Sequence, residues 1–141
     1  MRKNLNENYL YFAGIDGGGG DADASADAGC WACSRLTGVS PIIATTTGVY
    51  FTSALSDVAP HAGGTDGTGD VVVITHANKT GTDESGHRCK LVAKAIAEAC
   101  NAKPNQPGMV TVFDADNDIY FGDINTLKSD SGFDMVITLD S

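Results

Sequence analysis

Four cysteines and three histidines in a chain of 141 residues are the natural first candidates for chemistry. Cys30-Trp-Ala-Cys33 matches the C-x-x-C spacing of thiol–disulfide enzymes. That chemistry needs the first thiol at a helix N-terminus, where the dipole favours a thiolate. Here a Gly-rich segment precedes the pair, and Ser34-Arg-Leu-Thr-Gly38 behind it has no helical pattern. In a strand, positions three apart point to opposite faces, so Cys30 and Cys33 share neither a disulfide nor a metal. A zinc set would recruit His87 and Cys89 to them, but Cys89 falls on an apolar helical face and His87 well around from it. Cys89 and Cys100 lie on that face about 16 Å apart along the axis, too far to bridge. The cysteines read as small core hydrophobes.

The acidic residues form the second group of candidates. Asp114, Asp116 and Asp118 open like a calcium-binding loop, yet Ile119 stands where that loop requires Gly, and Asn125 where it requires a bidentate Glu. The run reads instead as a hairpin turn, since Asp and Asn tolerate tight backbone conformations. Asp21, Asp23 and Asp27, or Asp66 and Asp70, are an alternative calcium set at a subunit junction. Gly17–Gly20 lacks the Lys-Ser/Thr pair of a phosphate loop and is followed by an Asp that would repel phosphate. Lys79-Thr-Gly-Thr82 is a plain polar loop. His61, His76 and His87 are dispersed, and no Ser or Cys sits in a nucleophile motif. These readings leave no catalytic, cofactor or metal residues to name, and a protein that is not an enzyme.

The elements that would position any site are organised around 71–113. Asp70-Val-Val-Val-Ile-Thr75 is a β-branched strand. From about 85 to 101 the period changes: Cys89, Val92, Ala93, Ile96, Ala99 and Cys100 share a helical face, while His87, Lys90, Lys94 and Glu98 take the other. Pro104 and Pro107 end the helix, and Met109-Val-Thr-Val-Phe113 is extended again. The small-sided face predicts a helix lying close on one face of a sheet.

Before this core, Tyr9-Leu-Tyr-Phe12 is a strand apolar on both sides, expected to be covered twice or to meet another subunit. Cys30–Leu36 reads as a second strand broken by Gly38 and Pro41, and 42–55 as a third extended region around Val49-Tyr-Phe51. After the core come a return strand at 119–121, a polar connection over 122–132 and a last strand, Phe133–Leu139. The expected fold class is α+β: one domain over 1–141, with a predominantly antiparallel or mixed sheet and a single amphipathic helix. An N-terminal arm (1–8) and flexible loops (16–29 and 56–69) are attached to it.

The totals narrow the classes of function. A net charge of −9 from 18 acidic and 9 basic residues argues against nucleic-acid binding. No apolar run approaches the roughly 18–20 residues of a membrane span. The first residues, Met-Arg-Lys-Asn-Leu, carry basic charge without an apolar core behind it, unlike a secretory signal. The chain is expected to be made in the cytoplasm with reduced thiols.

Several stretches in order carry a resemblance: the Tyr9-Leu-Tyr-Phe12 strand, the acidic Gly/Asp loop and Cys33-Ser-Arg-Leu-Thr-Gly38. Tyr50-Phe-Thr-Ser53, the Val71–Thr75 strand leading into a Lys/Ala-rich helix, and the Asp-rich hairpin complete it. Together they resemble a family of small virion-associated proteins of marine tailed phages, cyanophages among them. The resemblance implies a non-enzymatic virion structural protein without cofactor, of the capsid decoration or cement type. Its implied partners are the major capsid protein or other virion subunits and further copies of itself, and its place is the virion. Tail, head-closure or fibre components of a bacteriophage are the neighbouring alternatives, and a calcium-dependent binding module is the alternative of a different class.

Overall fold

The computed structural model describes residues 7–14, 28–52, 69–77, 85–102, 108–130 and 132–139. Residues 1–6 of the expected arm (1–8) and most of both expected loops (16–27 and 56–68) lie outside the described residues, as do Asp21, Asp23, Asp27, His61, Asp66, Lys79 and Pro104.

The fold is α+β and mostly β, in two four-stranded sheets instead of one. The first has the order β2–β1–β6–β7, from Ala28–Ala32 (β2), Tyr9–Ala13 (β1), Met109–Asp114 (β6) and Ile119–Tyr120 (β7). Only the β1–β6 pairing is parallel. The second, β3–β4–β5–β8, is antiparallel throughout: Leu36–Ile43 (β3), Thr46–Phe51 (β4), Asp70–Thr75 (β5) and Asp134–Thr138 (β8).

The chain changes sheets between β2 and β3 through a 3-10 turn, Cys33–Arg35. The strand expected at 30–36 therefore divides here, while β3 runs unbroken through both Gly38 and Pro41. Proline is tolerated because β3 is an edge strand with one side free of ladder bonds. Ile42 and Ile43 accordingly belong to β3, and the turn falls at Ala44–Thr45.

Alternation along the strands decides what faces inward. Leu10 and Phe12 in β1, Trp31 in β2, and Val110 and Val112 in β6 are buried, as are Val49 and Phe51, Val72 and Ile74, and Met135 and Ile137. In the second sheet these stack in register: Val49 beside Val72 beside Ile137, and Thr47 beside Ile74 beside Met135. The two inner faces meet through Phe12, Trp31 and Phe51, whose ring centroids lie 4.9–6.0 Å apart. The indole crosses over the backbone of Gly29, where a Cβ would come within 2.5 Å of the ring. A second aromatic group, Phe113, Tyr120 and Phe133, closes the other side at 5.0–5.2 Å.

The helix α1, Ser85–Cys100, buries Val92, Ala95, Ile96 and Ala99 in the same core. It serves both sheets, where the sequence predicts one face of one sheet. The expected polar connection over 122–132 holds a short helix, α2 (Ile124–Leu127), whose Ile124 and Leu127 are fully buried. A four-residue helix has too few turns to show a period, so its two apolar residues pass for connection. Among the described residues no helix is long and apolar enough to cross a membrane.

Candidate functional site

The polar groups that could carry chemistry gather where α1 meets the sheets. At its N-terminal end Arg88 and Asp130 form an ion pair at 2.9 Å, both side chains almost wholly buried. Asp130 also accepts the Ala77 N–H at 3.1 Å, so one carboxylate joins the helix, the end of β5 and the segment before β8.

Beside it stand Thr47, His76 and Cys89, all buried. His76 Nε2 lies 2.8 Å from Thr47 Oγ1, and its Nδ1 lies 3.2 Å from the Ala77 carbonyl oxygen. A carbonyl only accepts, so in the neutral ring Nδ1 carries the hydrogen and Nε2 accepts from the Thr47 hydroxyl. The Cys89 thiol hydrogen-bonds Thr47 in turn. Burial pushes this thiol up, and the Thr47 hydroxyl pulls weakly the other way. A thiol held protonated, with a hydroxyl between it and the imidazole, is a poor nucleophile. The triplet satisfies polar groups at a packed junction.

At the C-terminal end of α1, Asn8 is the anchor. Its Nδ2 donates to the carbonyls of Ala99 and Cys100, both at 3.1 Å, which caps the last turn of the helix. Its Oδ1 accepts the Gly108 N–H at 3.1 Å, and its carbonyl accepts the Cys33 N–H at 3.0 Å. Glu7 continues the contact by accepting from Ser34 N–H and Oγ. The last two residues of the predicted arm are thus fixed parts of the fold. Held by these bonds, the Cys33 and Cys100 side chains lie close to one another. Burial and the proximity of Cys100 and Glu7 push the Cys33 thiol far up.

The remaining candidates separate. Cys30 is exposed on edge strand β2, its thiol also pushed up by partial burial. Among the described residues no group of three His, Cys, Asp or Glu could hold a metal ion. Asp70 is not a loop acid: it is buried in β5, and its Oδ2 accepts the Trp31 indole N–H at 3.0 Å. In the hairpin, Asp114 accepts from Asn117 N–H and Nδ2, and Asp118 pairs with Lys128 at 3.4 Å. Asp118 takes a positive φ of 56°, as a tight turn requires.

Sequence reasoning missed Asn8, Arg88 and Asp130, and the meeting of Cys33 with Cys100. The one signal for Arg88 was its place next to Cys89 on the turn that faces the core.

The outer surface carries the second type of candidate. Ile42 and Ile43 are 46 % and 62 % exposed at the tip of the β3–β4 hairpin. Tyr9 and Met109, cross-strand partners in the parallel pair, are 43 % and 52 % exposed. Val136 stands out from edge strand β8 beside Val73. Only one side of the Tyr9–Phe12 strand is buried: Leu10 and Phe12 enter the core, and Tyr9 and Tyr11 face away from it.

No protein family, curated protein or solved structure matches this chain.

Proposed function

We propose that this protein is a non-enzymatic structural part of a virion, a capsid decoration or cement protein that binds the major capsid protein and associates with itself. The observation that carries the reading is the apolar hairpin tip. Ile42 and Ile43 together form the most exposed apolar pair among the described residues, on an edge strand free to accept a partner. Isolated exposed apolar residues are ordinary, but adjacent ones at the end of a projecting hairpin favour contact with another surface. The acidic balance of −9 suits a particle surface that must not aggregate. The sequence resemblance to small virion proteins of marine tailed phages points the same way. A calcium-binding role has less support, because Asp114 and Asp118 are already engaged by Asn117 and Lys128.

Mass spectrometry of intact purified particles of the encoding phage tests this directly. The chain is expected at stoichiometric copy number, and its absence from the particle overturns the proposal. In reconstitution, Ile42→Asp with Ile43→Asp should abolish capsid binding while changing unfolding free energy by only about 0.5 kcal/mol, as for other exposed substitutions.

A further inference from the structure

We propose that Cys33 and Cys100 are a matched dithiol that closes to an intramolecular disulfide by exchange with a low-molecular-weight disulfide of the glutathione class.

The two side chains are close enough to act on one another, although they stand 67 positions apart in the chain. Their backbones are tied to a single residue: Cys33 N–H donates to the Asn8 carbonyl, and Asn8 Nδ2 donates to the Cys100 carbonyl. Both cysteines are half-buried, which leaves an edge open to a small reagent. One sits in a single 3-10 turn and the other is the last residue of α1, so neither lies inside a rigid element. Terminal turns absorb the movement needed for an S–S bond of about 2.05 Å more readily than mid-helix or mid-strand positions. The other two cysteines are placed differently: Cys89 is buried against Thr47, and Cys30 is on β2 opposite Tyr11.

The reaction balances without any group from the protein beyond the two thiols. One thiolate attacks glutathione disulfide, forms a mixed disulfide and expels one glutathione thiolate. The second protein thiolate attacks the protein sulfur of that mixed disulfide and expels the other glutathione. Two protein thiols are oxidised, one glutathione disulfide is reduced to two glutathione molecules, and both protons end on the leaving thiolates. The elevated Cys33 thiol makes ring closure faster as pH rises. The bond would fasten the crossover between the sheets to the end of the helix, enclosing β3, β4, β5 and α1 in one loop.

The test uses the full chain with Cys30→Ser, which removes an exposed competitor, incubated with glutathione disulfide. Two thiols are expected to disappear, with an intact mass about 2 Da below the reduced form because two hydrogens leave. A non-reducing peptide map is expected to join the Cys33 and Cys100 peptides. The melting temperature should rise by roughly 5–15 °C and return on reduction, as for a disulfide enclosing a long loop. With Cys33→Ser added, glutathione should remain trapped on Cys100. Persistent glutathione adducts on both Cys33 and Cys100 without closure, or a cross-link that omits either one, overturns the proposal. The map on the unmutated chain decides the matter even if a serine variant does not fold.

Discussion

The indole of Trp31 lies 4.9 Å from the ring of Phe51 and within 10° of parallel to it. Trp31 belongs to the first sheet and Phe51 to the second, so this stack is where the two sheets become one core. The same indole donates its N–H to Asp70, the cross-strand neighbour of Phe51. An aromatic contact and a hydrogen bond to a buried carboxylate thus act at a single joint.

Trp31→Phe removes the N–H and part of the stacking area, and should cost about 2–4 kcal/mol in urea unfolding followed by circular dichroism. Trp31 is the only tryptophan. In the unmutated chain its emission should shift red in the same transition that removes secondary structure, because both sheets lose their core together. Two separate transitions would show that the sheets unfold independently.

Asp130→Ala leaves the Arg88 guanidinium buried without its carboxylate and the Ala77 N–H without its acceptor. A loss of about 3–5 kcal/mol is expected, typical of breaking one side of a buried pair. Arg88→Met with Asp130→Asn should cost less than the two single changes summed, by roughly 1.5–3 kcal/mol of coupling in a double-mutant cycle. Additive losses would mean that the pair contributes nothing as a pair.

Asn8→Ala gives up three side-chain hydrogen bonds at the end of α1 and should destabilise by about 2–3 kcal/mol. Asn8→Asp should be worse, since it keeps the acceptor for Gly108 but sets a carboxylate against two carbonyls. Hydrogen exchange at the Gly108 amide should speed up in the alanine variant and stay slow in the aspartate one.

Alkaline pH should weaken the reduced fold. The Cys33 thiol is raised from an ordinary 9.0 by burial, then by Cys100 and Glu7. Tyr120 is raised from 10.0 by burial, then by Asp118, Asp114 and Asp134. Both hold their protons more tightly folded than unfolded. Their stabilisation is therefore whole below about pH 9 and drains as pH climbs through the folded values. The melting temperature of the reduced chain should fall between about pH 9 and 11. Tyr120→Phe should fall less steeply, and a flat profile would contradict both shifts.

Where a residue's fate depended on its near neighbours in the chain, it was legible in advance. The β5 strand, the α1 helix, the β6–β7 hairpin and the final strand follow from local period and turn chemistry. Misreadings arose where tertiary context overrode a local rule. Pro41 sits inside a strand because that strand is an edge, and Asp70 is buried because an indole from another sheet reaches it. Arg88 is buried because Asp130 arrives from 42 residues away.

By itself the sequence determined that this is an α+β protein with one long helix, that its surface is acidic, and that Cys89 and Cys100 cannot bridge each other. These follow from periodicity, charge counting and helix rise, all local quantities. Only the tertiary structure decided that the strands divide into two sheets, that Asn8 fastens the helix end, and that Cys33 meets Cys100. Each joins residues far apart in the chain, and no period along one chain encodes which distant side chains will touch.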